Sequence, residues 1–122
     1  MSKEKTYPPP GKIALYEKLI AANPEIDRKG DTMPYTSANG YMFSYLAQTG
    51  IAAIRLPQSE REAFLKKYNT TLDVQNGSVM KEFVRVPDDL LQNTVELSAY
   101  IDLSFAYVKT LKQKPITRKK KD

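Results

Sequence analysis

Cysteine and histidine are both absent from the 122 residues, and no apolar run approaches the length of a bilayer span. Without cysteine there are no disulfides, no thiolate metal sites and no Cys nucleophile. Without histidine the usual general base and the commonest metal ligand are missing. An enzyme built from this chain would have to work with Asp, Glu, Lys, Tyr, Ser or Thr. Ser44 and Ser104 lack a G-x-S-x-G setting, and neither a P-loop nor a G-x-G-x-x-G segment occurs. The opening MSKEKTYPPPGK has no hydrophobic core of a signal peptide. A transmembrane helix needs about 20 apolar residues, so the expectation is a soluble, cytoplasmic, non-enzymatic protein with no cofactor, no bound metal and no membrane partner.

What is present is charge, unevenly placed. The net charge is +5 and the sequence pI about 9.3. Lys3, Lys5 and Lys12 against Glu4 give +2 over residues 1–12, and residues 109–122 carry +6, which leaves −3 for the body between them. The basicity sits in the ends. Arg118, Lys119, Lys120 and Lys121 would contact polyanions without sequence readout, although a solvated tail is the simpler reading. Residues 1–11 are expected to be a flexible Pro-rich segment, 12–112 a single domain, and 113–122 a disordered basic tail.

Within the body the periodicity predicts a helix from about Lys12 to Ala22, with Ile13, Tyr16, Leu19 and Ile20 on one stripe. Thr32–Ser37 and Tyr41–Ala47 read as strands joined around Ala38-Asn39-Gly40, a strong hairpin signal. Ile51–Leu56 reads as a third strand. Ser59 with Glu62 has capping-box spacing for a helix reaching about Tyr68. Asn69–Ser78 reads as a turn-rich connection, and Val79–Val86 as a fourth strand. Asp88 and Asp89 suit the positive start of a short helical turn. Asn93 with Glu96 caps a long closing helix to about Lys112, whose stripe of Leu97, Ile101, Phe105, Val108 and Leu111 is widened by Tyr100, Leu103 and Tyr107. The expected fold is α+β: a central antiparallel sheet of about four strands, flanked by an N-terminal, a middle and a long C-terminal helix.

Several local signatures resemble the N-terminal domain of the TfoX/Sxy competence-regulator family and its stand-alone relatives. They are Met33 at the first strand, Asn39-Gly40-x-Met42-Phe43, Arg55-Leu56, Arg61-x-x-Phe64, and Met80-x-x-Phe83-x-x-Val86-Pro87-Asp88-Asp89-Leu90. The likeness spans about residues 10–113. It implies an α+β fold with a central antiparallel sheet, and an association with transcriptional regulation in the founding members. Met33-Pro34-Tyr35-Thr36 stands where the family usually has a Gly-rich segment, and the second domain of the founding members is absent.

The candidate site is the sheet surface. Period-two alternation puts Tyr41, Phe43 and Tyr45 on one side of the second strand, and Val79, Lys81, Phe83 and Arg85 on one side of the fourth. A groove exposed there would be lined by Tyr35, Tyr41, Tyr45, Arg55, Lys81 and Arg85, aromatics interleaved with cations as in single-strand nucleic-acid binders. Phe43 and Phe83 are better placed as core. Asp88 and Asp89 point about 100° apart on a helix and form no acid/base pair, and Asp27, Asp31 and Asp73 have no metal-ligand spacing. Three functions follow. The leading one is a regulatory domain that docks a protein partner or a second copy of itself through a sheet face or edge. The alternatives are a nucleic-acid accessory protein using tail and sheet aromatics, and a small-ligand binder or enzyme with a pocket between sheet and helices.

Overall fold

A computed structural model describes residues 7–112. The expected basic tail, with Arg118, Lys119, Lys120 and Lys121, lies outside the described residues. The elements run α1 (Pro10–Ala21), β1 (Tyr35–Ala38), β2 (Tyr41–Leu46), β3 (Ala52–Arg55), α2 (Gln58–Lys67), β4 (Leu72–Gln75), β5 (Ser78–Val86), α3 (Asp88–Gln92) and α4 (Thr94–Thr110). The strands form one antiparallel sheet in the order β1-β2-β3-β5-β4. The fold is α+β as expected, with five strands rather than four. The added strand is β4, inside the segment read as turn-rich. Asn76 and Gly77, with φ of 53° and 79°, make a two-residue hairpin loop that pairs Gln75 with Ser78.

Local chemistry explains most element ends. Pro10 opens α1, where its missing N–H has no cost, and the Pro9 carbonyl accepts from the N–H groups of Lys12 and Ile13. The capping box expected at Ser59 and Glu62 is not formed. The cap of α2 falls on extended Pro57, so Ser59 is already helical, and Glu62 accepts instead from the Gln58 side chain at 3.2 Å. Asn69, at φ 53°, closes α2 in the left-handed conformation while the Thr70 N–H reaches the Leu65 carbonyl. Asp88, in the first turn of α3, is held by Lys12 Nζ at 2.6 Å. Asn93 caps α4 as expected: its Oδ1 accepts from the Glu96 N–H at 3.2 Å. Asn93→Ala is therefore expected to cost about 1 kcal/mol, seen as a lower thermal midpoint with an unchanged native spectrum.

All four helices pack on one face of the sheet. Tyr16, Leu19 and Ile20 of α1, Phe64 of α2, Leu90 and Leu91 of α3, and Leu97, Ile101 and Val108 of α4 bury against Phe43, Leu46, Ala52, Ile54, Val84 and Val86. No helix among the described residues is long and apolar enough to cross a membrane. The opposite face carries a separate cluster of Tyr45, Ala47, Ala53 and Phe83, fringed by Met33, Tyr35, Met42 and Met80, and none of these lies on a helix.

The division between the two faces depends on a bulge. Thr36 pairs with Ser44 but Ser37 with Met42, so Phe43 has no partner on β1. The extra residue shifts the phase of β2. Phe43 joins the helix-side core, and Ser44 also faces helix α1, where the Tyr16 hydroxyl meets its Oγ at 2.7 Å. Tyr45 is thereby turned to the other face. The expectation that Tyr41, Phe43 and Tyr45 share a side fails for this reason. A similar slip separates Val79 from Phe83. Between Leu72↔Val84 and Val74↔Val79 the partner strand advances five residues for two of β4, and Met80, not Val79, joins Phe83.

Candidate functional site

Polar side chains secure the sheet to its helices. Tyr16, Ser44 and Thr36 form a buried chain of hydroxyls, with Thr36 Oγ1 and Ser44 Oγ 2.6 Å apart. Burial pushes the Tyr16 hydroxyl pKa well up, against the lowering effect of its Ser44 and Thr36 bonds, so it stays protonated. Where the β2–β3 ladder ends at Ser44↔Ile54, the buried Ser104 hydroxyl of α4 donates to the carbonyls of Phe43 (3.3 Å) and Arg55. At the β1–β2 turn, Asn39 (φ 57°) and Gly40 (φ 82°) form the loop, and Asn39 Nδ2 donates to the Val108 and Leu111 carbonyls at 2.8 and 2.7 Å. The hairpin turn is thus also the C-terminal cap of α4.

On the helix-free face the main polar feature is Asp73. Two strands, β3 and β5, separate β2 from β4, which in a flat sheet sets them three spacings or about 14 Å apart. That is further than a tyrosine reaches. Yet the Tyr45 hydroxyl of β2 donates to Asp73 Oδ2 of β4. The sheet must curl, with the irregular β4–β5 hairpin folding over the face. Asp73 is 0% exposed and receives three side-chain donors: Tyr45, Gln75 Nε2 at 2.7 Å and Arg85 Nε at 2.9 Å. Burial alone would push the Asp73 carboxyl up. The hydrogen bonds from Tyr45, Gln75, Arg85 and the Val74 backbone outweigh it and hold the carboxyl below its ordinary value. Burial, reinforced by the Asp73 bond and charge, drives the Tyr45 hydroxyl pKa well up, fixing it as the donor.

Two grooves flank this cluster. One, of about 470 Å³, is lined by the β2–β3 turn (Ala47, Gln48, Thr49, Ile51), by Asp73, Val74, Gln75 and Asn76 of the β4 hairpin, and by Met33 and Arg85. The second, of about 390 Å³, is lined by Met33, Met42, Tyr45, Gln75, Asn76, Ser78 and Met80. They share Met33, Gln75 and Asn76 and meet there. On the helix side, beside the core, a groove of about 390 Å³ is lined by Lys67, Tyr68, Pro87, Asp89, Leu90, Asn93 and Glu96.

The six residues expected to line a stacking platform do not form one. Tyr45 is 1% exposed, its ring tilted against Phe83 at 5.2 Å. Tyr35 is half-buried over Gly30 (φ 84°), where a Cβ would fall 2.9 Å from the tyrosine ring. Tyr41 packs on the helix-side core and its hydroxyl donates to the Lys112 carbonyl at 2.6 Å. Arg55 pairs with Glu82 at 2.6 Å, donates to the Met42 carbonyl at 3.2 Å and lies over the Tyr41 and Phe83 rings. Arg85 is tied to Asp73. Lys81 is exposed beside a groove shared with Arg55 and Phe83. Tyr45 and Arg85 do converge, through Asp73, which the sequence reading did not select for a surface. Met33, Met42 and Met80 were also missed as a group. Their only signal was indirect, since the Asn76-Gly77 turn implies a hairpin that brings Met80 and Asp73 toward β2.

Among the described residues no three acidic side chains gather as a metal site. Scans of the chain against models of known families, curated proteins and solved structures return no match.

Proposed function

We propose that this chain is a cytoplasmic, non-enzymatic binding domain that docks a protein partner on the helix-free face of its sheet, in keeping with its resemblance to the TfoX N-terminal domain. The observation that carries the reading is the convergence of Met33, Met42 and Met80, all half-buried, on one face that no helix among the described residues covers. Thioether side chains are flexible and polarizable, and surfaces rich in them adapt to varied apolar partners. A sheet face that served only as core would be expected to carry branched or aromatic residues in fixed rotamers instead. The stacking platform of the nucleic-acid reading gains no such support, because its aromatic rings are packed and Arg55 is engaged by Glu82 and the Met42 carbonyl.

The test is affinity capture from the source cells with the wild-type chain, a Met33→Glu/Met80→Glu variant and a Val95→Glu variant, each first shown to be folded by circular dichroism. Val95 lies on α4, is 84% exposed and belongs to no groove described above. A stoichiometric partner retained by Val95→Glu and lost from the methionine variant supports the reading. A partner lost only from Val95→Glu places docking on the helices and overturns it.

A further inference from the structure

The groove beside the β2–β3 turn contains a cation with most of its hydrogen-bonding capacity unused. A guanidinium has five N–H donors. Arg85 gives its Nε–H to Asp73, and its Nη groups make no hydrogen bond to the described residues. The side chain is 39% exposed, while its partner carboxylate is buried. Asp73 therefore engages the guanidinium through Nε, and the half-exposed side chain lines the groove with its two Nη groups, the donors a bidentate carboxylate takes, unengaged by the described residues. Asp73 itself has no capacity left for a ligand, since Tyr45, Gln75, Arg85 and the Val74 N–H occupy it. A buried ion pair adds little stability relative to apolar residues of similar volume, and what this one does is fix Arg85 in place.

Around that cation the groove offers Gln48 and Thr49, both exposed, and an apolar floor of Met33, Ala47 and Ile51. We propose, resting on the docking surface described above, that this groove binds the C-terminal carboxylate of a partner chain whose last residue is apolar. The carboxylate would take the Nη groups of Arg85, the terminal side chain the apolar floor, and the preceding residues the methionine-lined second groove. The continuity of the two grooves through Met33, Gln75 and Asn76 favours a chain over a small free acid, which the first groove alone would hold. The amides of Gln48 and Gln75 and the Thr49 hydroxyl match the alternating donors and acceptors of a peptide backbone.

The experiment screens a display library of peptides with free C-termini, randomised over the last four positions, against the wild-type chain. Enriched peptides are then synthesised as acid and as amide and titrated. Apolar last residues, with affinity falling at least tenfold on amidation, are expected. Because Arg85→Gln would strand the buried Asp73 charge and endanger folding, two milder variants are used. Arg85→Lys keeps the charge but not the fork, and Thr49→Glu sets a like charge at the groove mouth without touching Asp73; each should weaken the acid peptide at least tenfold, and by more than it weakens the amide. Equal binding of acid and amide overturns the carboxylate site while leaving partner docking intact. Binding of 4-methylpentanoate as tight as that of the peptides shows the ligand to be a small acid and overturns the peptide assignment. An absence of any enriched peptide overturns it as well, and partner docking is then judged by the capture experiment alone.

Discussion

Asp73→Ala is expected to lower the stability of the domain by about 3 kcal/mol, near the bottom of the range for breaking a buried pair, read as a lower urea midpoint at neutral pH. The size follows from what the substitution leaves behind. The Tyr45 hydroxyl, on a side chain 1% exposed, loses its acceptor. Gln75 and Arg85 lose theirs but are more exposed and can be hydrated, which is why the loss stays near the lower bound. The curl of the sheet over its helix-free face is pinned by the same contact, so the variant should also expose the methionines and bind an apolar dye. The pH dependence has a definite sign. With its folded carboxyl held below the unfolded value near 3.8, Asp73 contributes stability that is fully present above that value. It is lost as the pH falls through the lower folded value. Asp73→Asn, which retains an acceptor for Tyr45, should sit between the two chains at pH 7 and show a shallower acid limb. An Asp73→Asn limb as steep as the wild type would assign the acid sensitivity to other carboxylates.

At Asn39 three substitutions should separate backbone strain from helix capping. Asn39→Gly accepts the positive φ and loses only the donors to Val108 and Leu111, about 1–2 kcal/mol for two part-buried bonds. Asn39→Ala adds the cost of the left-handed conformation for a Cβ, roughly 1 kcal/mol more. Asn39→Asp tolerates the φ but sets a carboxylate against two carbonyls at the negative end of α4, and is expected to be the worst, at about 3 kcal/mol. The order Gly, Ala, Asp in thermal midpoint checks this. An Asp variant as stable as Gly would show that the turn, and not the cap, is what Asn39 provides.

That double duty shows where sequence reasoning stops. Asn39-Gly40 announces a hairpin because both residues accept positive φ, a local property. Its second role depends on residues some 70 positions away and leaves no local trace. The helices were readable for the complementary reason: Tyr16, Leu19 and Ile20, and then Leu97, Ile101 and Val108, repeat at helical spacing and do enter one core. The faces of β2 were misjudged because alternation assumes an unbroken ladder, and a single unpaired residue, Phe43, reverses its phase. The strand β4 was passed over because Asp73 and the neighbouring Asn and Thr residues resemble a loop. A carboxylate inside a strand becomes intelligible only once Tyr45 and Arg85 are seen to meet it. The candidate site was half legible: of the residues read as exposed lining, Arg85 does line a groove with its side chain 39% exposed, whereas Tyr45 is buried and props Asp73 from beneath.

The cap on α4 has a consequence for the order in which the molecule can be made. Helix α4 supplies Leu97, Ile101, Ser104 and Val108 to one side of the sheet and takes its own C-terminal cap from residue 39. During synthesis, which proceeds from the N-terminus, β1, β2 and β3 emerge long before that cover exists. Phe43, Leu46 and Ile54 therefore have only α1, and later α2 and α3, to cover them on that side until the ribosome has passed residue 108. The nascent chain carries a partly covered apolar sheet face over about half of its translation, and that interval is when a chaperone would have most to hold.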